Sequence, residues 1–482
     1  MIKKYDLKEK TGGFKNRLFK MRLLCGIWTG KALITLTRIL GRGGTTLPGR
    51  AALKIEPRLS SALVEGLAEG SLIITGTNGK TTTAALLTGI LQESGLKCIH
   101  NQSGSNMSWG VASALIKSVT VSSRLPGDCA VMEVDEGAFP GEVKSLKPRG
   151  IIVTNVFRDQ LDRYGEIDRI RDSISKGLAD QPEGGFQVIN ADDPSLAVLE
   201  TAADKTRWTY GLEIEPPQDS FQNTGRDIKA CPRCLHQLSY DKIYFAHLGH
   251  FHCPNCSYRR PQPDVKMTSC HLNKDGTSQL QITLPEEVIE VKFHLPGTFN
   301  LYNLLAAVTC AQAMAISQDV IAEALGKAAP SFGRMERFAV DGKMVQMALI
   351  KNPVGANEVL RTIIKRPDKI NLLVAINDKI ADGTDISWLW DVDFEQLEKV
   401  RAKLSTVAVT GLRAWEMAVR FKYAGLDPAV VRIEEKTGPA LNKALEQTSP
   451  GETLFILPTY TAMIELRRHL NRMGLGKPYW EE

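Results

Sequence analysis

The sequence predicts an α/β protein in three parts: a larger domain on a mostly parallel sheet, a cysteine-bearing insertion within it, and a smaller α/β domain toward the C-terminus. Short apolar, β-prone runs alternate with stretches of helical periodicity, which is how the strands and crossover helices of a parallel sheet read. A glycine-rich loop ending in Lys80 lies between one such run and the helical stretch after it. Two Cys-x-x-Cys pairs interrupt the alternation, which later resumes.

At 482 residues the chain has room for about three domains. With 43% hydrophobic and 24% charged residues, disorder, a fibrous repeat and a disulfide-stapled miniprotein are excluded. Nine cysteines, four of them in two spaced pairs, fit a reducing compartment, so a cytoplasmic protein is expected. Charge is uneven: residues 1–58 hold 14 Lys/Arg against 3 Asp/Glu, and the rest of the chain holds 46 against 51. Residues 18–40 are apolar but carry Lys20, Arg22, Lys31 and Arg38, which excludes a spanning helix and a signal peptide. At about 100° per residue Lys20, Lys31 and Arg38 fall almost in line, while Leu23, Leu24, Ile27, Leu33 and Ile34 fall mostly elsewhere. Such a basic amphipathic helix either lies peripherally on the anionic inner face of a membrane or packs on its own domain with its cations in water.

Along the chain, residues 58–69 have helical spacing, and the run Ser71-Leu-Ile-Ile-Thr75 is a strand followed by the glycine loop and a helix over 81–93. Strands are predicted over 129–134, 150–154 and 187–190, with a helix over 167–178. From residue 219 Pro, Gly, His and Cys become frequent and helical periodicity disappears until a helix over 300–314. A loop at Ser331-Phe-Gly-Arg334 marks a boundary, beyond which strands over 371–376, 406–410 and 453–457 alternate with helices. The expected parts are a basic segment, 1–47, a central domain, 48–330, with an insertion at about 226–262, and a C-terminal domain, 331–482.

Thr75-Gly-Thr-Asn-Gly-Lys-Thr81 stands where a phosphate-binding loop belongs. Gly76 and Gly79 let backbone N–H groups close on phosphate oxygens, the helix start adds partial positive charge, Lys80 adds a full one, and the Thr81 hydroxyl suits Mg²⁺. Glu133, Asp135 and Glu136 follow a strand, where a carboxylate can hold Mg²⁺. Cys231-Pro-Arg-Cys234 and Cys253-Pro-Asn-Cys256, eighteen residues apart, have zinc-ribbon spacing. Four thiolates close a tetrahedral site, so the Zn²⁺ they predict is structural.

The short Gly-x-x-Gly-Lys-Thr loop resembles that of the Mur ligase superfamily, the ATP-dependent amide ligases of peptidoglycan and folylpolyglutamate synthesis. Asn155-Val-Phe-Arg-Asp159-Gln-Leu-Asp162-Arg-Tyr-Gly165 resembles the superfamily's Thr-Asn segment, although Gln160 stands where many members have a histidine near a second metal. Asn190-Ala-Asp192-Asp-Pro194 and Gly297-Thr-Phe-Asn300-Leu-Tyr-Asn303 resemble its nucleoside-contact motifs, and Gly333-Arg334-Met-Glu336 its hinge. The resemblance thus implies ATP contacts from Gly76, Thr77, Asn78, Gly79, Lys80, Thr81, Thr82, Asn155, Asp192, Asn300, Asn303 and Arg334. It implies Mg²⁺ held by Thr81 and Glu133, with Lys80 and Glu133 acting in catalysis. About 70 residues precede the loop, so the extra domain that binds UDP-linked substrates is expected to be missing.

Lys351-Asn-Pro-Val-Gly355 takes the place of a short His/Asp substrate motif, and Asn377-Asp-Lys-Ile-Ala-Asp382-Gly-Thr-Asp385-Ile-Ser-Trp388-Leu-Trp390-Asp391 is dense in carboxylates and tryptophan. With the four cysteines, these features resemble the MurT family of ligase subunits. That resemblance implies amidation of the α-carboxylate of D-glutamate in lipid II to D-isoglutamine, through an acyl phosphate, with ammonia from a GatD-like class I glutaminase subunit. It also implies that Asp385 completes the glutaminase's Cys–His pair, with Asp378, Asp382 and Asp391 as alternatives. No cysteine outside the paired four sits in a recognisable nucleophile motif, which agrees with a glutaminase on another chain. Two other readings remain. One is an amino-acid ligase of the folylpolyglutamate or cyanophycin kind. The other is a zinc-ribbon NTPase that binds nucleic acid, against which stand the acidic body and the few aromatics among Lys/Arg beyond Tyr258-Arg-Arg260.

Overall fold

Buried on both faces, the apolar runs read from the sequence form a sheet interior. The computed structural model describes residues 13–39, 44–101, 105–158, 167–216, 227–273, 277–328 and 333–475. Asp159, Gln160, Asp162, Ser331 and residues 1–12 lie outside the described residues. Strands β1 (Gly70–Thr75), β2 (Cys98–His100), β3 (Cys129–Glu133), β4 (Gly150–Val153), β5 (Phe186–Asn190) and β6 (Thr206–Leu212) pair in parallel in the order β6-β5-β4-β1-β3-β2. Leu72 and Ile74 of β1 face a core shared with Leu87, Leu304 and Val308, while Ile73 faces one with Val111, Ile116 and Ile151. The chain leaves β1 toward β2 and β3 on one side and returns to β4 on the other. The end of β1 is therefore a switch point of the kind at which parallel sheets bind ligands.

Where helical periodicity disappears before residue 300, the described residues hold further strands. A hairpin of β7 (Ser239–Phe245) and β8 (Leu248–His252) forms a small sheet of its own. Then β9 (Val265–Leu272) joins β6 in parallel, and β10 (Ser278–Thr283) and β11 (Val288–Phe293) extend the sheet in antiparallel fashion. Their signal is a period of two: Leu280 and Ile282, then Ile289, Val291 and Phe293, are buried while their neighbours are not. The helix Thr298–Ala313 follows, and every residue from Asn300 to Ala311 is buried against the sheet. In the C-terminal part, β12 (Arg334–Val340), β13 (Lys343–Ala348), β14 (Ile370–Ala375), β15 (Leu404–Thr410), β16 (Val431–Ile433) and β17 (Thr453–Pro458) form a sheet in the order β12-β13-β17-β14-β15-β16. All pairs in it are parallel except the β12–β13 hairpin, which begins at Arg334.

Helix α1 (Gly13–Ile39) lies on α2 (Leu47–Ile55), α3 (Leu59–Val64) and the helix Ser108–Ser118. Leu23 and Ile27 are buried, and Gly26 and Gly30 allow close approach: a Cβ there would stand 3.1 Å from Leu59 and 2.9 Å from Ile116. Arg22 donates to the Ile55 carbonyl at 2.9 and 2.6 Å, closing the end of α2. Among the described residues no helix is long and apolar enough to cross a membrane.

Candidate active site in the interdomain cleft

The glycine loop between β1 and α4 (Lys80–Glu93) is shaped by its neighbours. Gly76 and Gly79 have φ of +119° and +89°, and a Cβ on either would collide with Thr154 or Asn303. Asn155 clamps the loop: its carbonyl accepts from Thr77 N–H, its side-chain Oδ1 from Asn78 N–H, each at 2.9 Å, and its Nδ2 donates to the Asn78 carbonyl at 3.1 Å. Thr154 Oγ1 donates to the same carbonyl at 2.7 Å. The loop is thus preformed with little freedom to lose, the geometry of a phosphate cradle.

Inside it, Lys80 Nζ meets Glu136 Oε2 at 3.1 Å and the Gly76 and Thr77 carbonyls, with both side chains only 6% exposed. Burial opposes charge on Lys80, but Glu136, Asp135 and Glu133 outweigh it and hold its pKa above the ordinary value. Burial likewise opposes charge on Glu136, and Lys80 and Lys351 bring its pKa below the usual carboxylate value. Both shifts favour the charged form of the pair. Thr81 Oγ1 donates to Glu133 Oε2 at 2.8 Å. Asn101 holds Glu133 in place, accepting its N–H and donating to its carbonyl, each at 2.8 Å. A hydroxyl and two carboxylates, Glu133 and Asp135, so line one wall of a cleft, an oxygen donor set that suits Mg²⁺.

That cleft, about 470 Å³, runs between the two α/β parts. Thr77, Gly79, Lys80, Thr81 and Glu133 line it, and the C-terminal part contributes Arg334, Lys351, Asp382 and Tyr460. An adjoining cavity brings together Asn78, Gly79, Thr82, Asn155, Asn300, Asn303 and Arg334 with Phe245, Phe299 and Glu358. Asn352 ties the parts together, donating from Nδ2 to Asn78 Oδ1 at 3.0 Å while its own Oδ1 caps the helix Pro353–Ile364 through Gly355 N–H at 2.8 Å. Lys351 Nζ donates to the Thr77 carbonyl at 3.0 Å.

Two residues singled out by sequence lie apart from these cavities. Asp192 is fully buried and accepts from Arg260 Nε at 2.5 Å, Tyr302 OH at 2.6 Å and Leu212 N–H at 3.0 Å. Burial pushes its carboxyl up against the pull of Arg260. It anchors the helix bearing Asn300 and Asn303 to the cysteine-bearing insertion. Asp385 is half-exposed and accepts from Ser387 N–H at 2.7 Å and Ser387 Oγ at 2.9 Å, a local turn at the start of the 3-10 helix Ser387–Asp391. Its neighbours are bound elsewhere: Asp382 to Thr461 and Lys379, Asp378 to Arg413, and Asp391 to Arg158 across the cleft.

The four cysteines converge, with all Sγ atoms within 4.8 Å of one another. Cys231 and Cys256 are 3.7 Å apart and Cys234 and Cys253 3.5 Å, close to the roughly 3.8 Å edge of a tetrahedron with Zn–S bonds of about 2.3 Å. Hydrogen bonds from the His236 amide and the Asn255 side chain bring the Cys234 thiol down to about 6. Against a hydrogen bond from the Tyr258 amide, desolvation and the neighbouring thiols push Cys256 up to about 12, so the four thiols do not share one tendency to ionise without a metal. Sequence reasoning missed Asn101, Thr154 and Phe245 as parts of the site; Asn352 lay in the segment singled out as a substrate motif, but its contact with the glycine loop did not follow from that. Of the three missed, Thr154 had a local signal, its place before Asn155 at a strand end; Asn101 and Phe245 come from distant segments.

A family profile described as the Mur ligase middle domain matches residues 74–256, and one described as the MurT ligase C-terminal matches residues 349–463. The chain is 33% identical over 456 residues to the lipid II isoglutaminyl synthase (glutamine-hydrolyzing) subunit MurT of Staphylococcus aureus strain COL, covering 95% of this chain and 99% of that one. It is 32% identical to the Streptococcus pneumoniae protein of the same name, over 93% and 97% of the two chains. In fold it is similar to a pseudomurein peptide ligase type C from Methanothermus fervidus, with TM-score 0.64, 22% identity and coverage of 85% and 80%. It is also similar to MurF ligase from Thermotoga maritima in complex with ADP, with TM-score 0.60, 12% identity and coverage of 88% and 85%. On the likeness along nearly its whole length, the chain belongs to the MurT family of Mur ligases.

Proposed function

We propose that this chain is the ligase subunit of a lipid II isoglutaminyl synthase, a peptidoglycan-synthesis enzyme that amidates the D-glutamate α-carboxylate of lipid II. The observation that carries the reading is the buried Lys80–Glu136 ion pair beside Thr81 and Glu133, at the floor of a cleft walled by a MurT-type C-terminal part.

A carboxylate is a poor electrophile and must be activated. One of its oxygens attacks the γ-phosphorus of ATP, ADP leaves, and ammonia then attacks the carbonyl carbon of the acyl phosphate, losing a proton as phosphate departs. Lys80 and the loop N–H groups bind the phosphate chain and offset charge on the transferring phosphoryl group. Thr81 and Glu133 would hold Mg²⁺, which when bound neutralises phosphate charge. Lys351, reaching the loop from the C-terminal part, adds a second cation beside it. Phe245, Phe299, Asn300, Asn303 and Arg334 form the cavity that suits the nucleoside. A structural Zn²⁺ in the four-cysteine cluster would secure the insertion that Arg260 and Asp192 connect to the nucleoside side.

The ammonia comes from a separate glutaminase. Trp415, Val419 and Tyr423 recur at a spacing of four along one helix, exposed by 60%, 46% and 69%, and Trp390 packs on Tyr423 at 5.6 Å between ring centroids. This aromatic patch lies on the same part of the protein as Asp385 and offers a partner an apolar docking face. The test is amidation of a D-glutamate-containing lipid intermediate by the purified protein. Ammonium should serve and glutamine should not until a glutaminase subunit is added; glutamine use by the isolated protein overturns the reading.

A further inference from the structure

Helix α1 is apolar on two faces, and only one of them is buried; on the other, the Trp28 indole N–H donates to the Val121 carbonyl at 3.0 Å while its ring stays half-exposed. The inward face, with Leu23, Gly26, Ile27 and Gly30, packs on the domain. On the outward face Leu18, Met21, Trp28, Leu36 and Ile39 are exposed by 46%, 61%, 54%, 52% and 77%. At 100° per residue these five fall within an arc of about 80°, a continuous stripe along the helix. Lys20, Lys31 and Arg38 run in line beside it, about 70° away. Residues 13–39 hold six Lys/Arg and no Asp/Glu. The basic row and the apolar face foreseen from the sequence both exist, but the free apolar face is not the one formed by Leu23 and Ile27.

We propose that this stripe is a membrane-docking face that lies in the interface of an anionic lipid surface, with Lys20, Lys31 and Arg38 at headgroup level. An apolar stripe bordered by cations, on a helix unable to span a bilayer, is the chemistry of interfacial binding. Charge selects the occupant, because a row of cations without a single anion favours a polyanionic surface. Placement supports it as well. Near the end of α1, Thr37 lies against Gly44, and the next residues, Thr45 and Thr46, line the cleft. Leu47 and Trp109, 51% and 45% exposed, stand beside cleft-lining Thr46 and Met107. A surface held by α1 would therefore meet the cleft at its mouth, where a lipid-linked substrate has to enter. The inference rests on the substrate proposed above.

The experiment is flotation of the full-length protein, alone and with its glutaminase subunit, with vesicles of phosphatidylglycerol or of phosphatidylcholine. The wild type should float with the first and not the second, and salt should weaken it. Leu36→Asp with Ile39→Asp, and separately Lys20→Glu with Arg38→Glu, should lower binding about tenfold or more with an unchanged thermal melt. Both variants should keep ammonium-dependent amidation of a detergent-soluble D-glutamate substrate with a shortened lipid tail, and lose it on lipid II embedded in vesicles. A wild type that stays unbound with phosphatidylglycerol overturns the proposal. So does loss of self-association or of the glutaminase in the Leu36→Asp, Ile39→Asp variant, which would assign the stripe to a second copy or to the partner. Absence of amidation even on the soluble substrate would instead overturn the proposed function, leaving the flotation result to stand by itself.

Discussion

The glycine loop after β1 and the aspartate-rich loop after β14 occupy equivalent places, each leaving the end of a central parallel strand, yet they treat charge in opposite ways. At the first, Lys80, Glu136 and Glu133 are buried and satisfied by one another and by the backbone. At the second, Asp378 and Asp391 hold arginines and Asp382 holds a turn, while Asp385 stays half-exposed near uncovered tryptophans. The first loop is self-contained in its charges. The second, on the function proposed above, would be completed by another protein, because a carboxylate and aromatics left at a surface gain their worth only when a partner excludes water from them.

If the first loop is self-contained, removing its charge should have the largest effect. Lys80→Met should reduce ATP-dependent amidation by about 10²- to 10³-fold or more. It should also lower the melt, because it leaves Glu136 buried without its main partner, a loss of up to about 3–5 kcal/mol that Lys351 offsets in part. Lys80→Met with Glu136→Gln should recover the melt and not the activity. Activity retained in either variant would take the loop out of catalysis.

At the second loop the split should be by nitrogen source. Asp385→Asn should cut glutamine-dependent amidation about 10²-fold or more in the assembled complex, since a carboxylate that orients an imidazole is costly to lose. Ammonium-dependent amidation should be unchanged; its loss would place Asp385 in the ligase's own chemistry. Next in size, Trp415→Ala or Tyr423→Ala should weaken binding of the glutaminase by about 2 kcal/mol, or roughly thirtyfold, in a calorimetric titration. Equal affinity would move the interface elsewhere.

A smaller effect tests how far the first site depends on its surroundings. The purified protein should carry about one zinc ion, and Cys231→Ser with Cys253→Ser should remove it. Nucleotide affinity should then fall only a few-fold, through the contacts that run from Arg260 to Asp192 to Tyr302 on the helix of Asn300 and Asn303. Full zinc content in the double variant would break the assignment. The smallest effect is with pH. Glu136, with a folded pKa below its ordinary 4.5, contributes stability that is present above that value and lost as pH falls through the depressed one. The Lys80→Met, Glu136→Gln variant should therefore show a shallower acid limb in melts at successive pH values.

Much of this was legible along the sequence because it depends on near neighbours. β1, its glycines and α4 lie within one stretch, where apolar runs and left-handed glycines leave few conformations. Paired cysteines state their geometry in their spacing. The alternation in β10 and β11 was equally local but was masked by the surrounding Pro, Gly and His, and no helical period announces an antiparallel edge.

Tertiary structure decided which polar groups face what, since a spacing cannot say whether an aspartate is consumed by a neighbour a hundred residues away. Asp192 has a motif's position, but Arg260 and Tyr302 occupy its oxygens. Asn352 becomes part of the nucleotide loop only because the second sheet sets its helix end against Asn78. Helix α1 makes the same point for apolar groups: its sequence determined that it is helical, basic and rich in leucine, and only packing on α2 and α3 determined which apolar face is consumed and which remains. Burial is a property of the surface on the other side of a contact, and that surface is assembled from residues far away in the sequence.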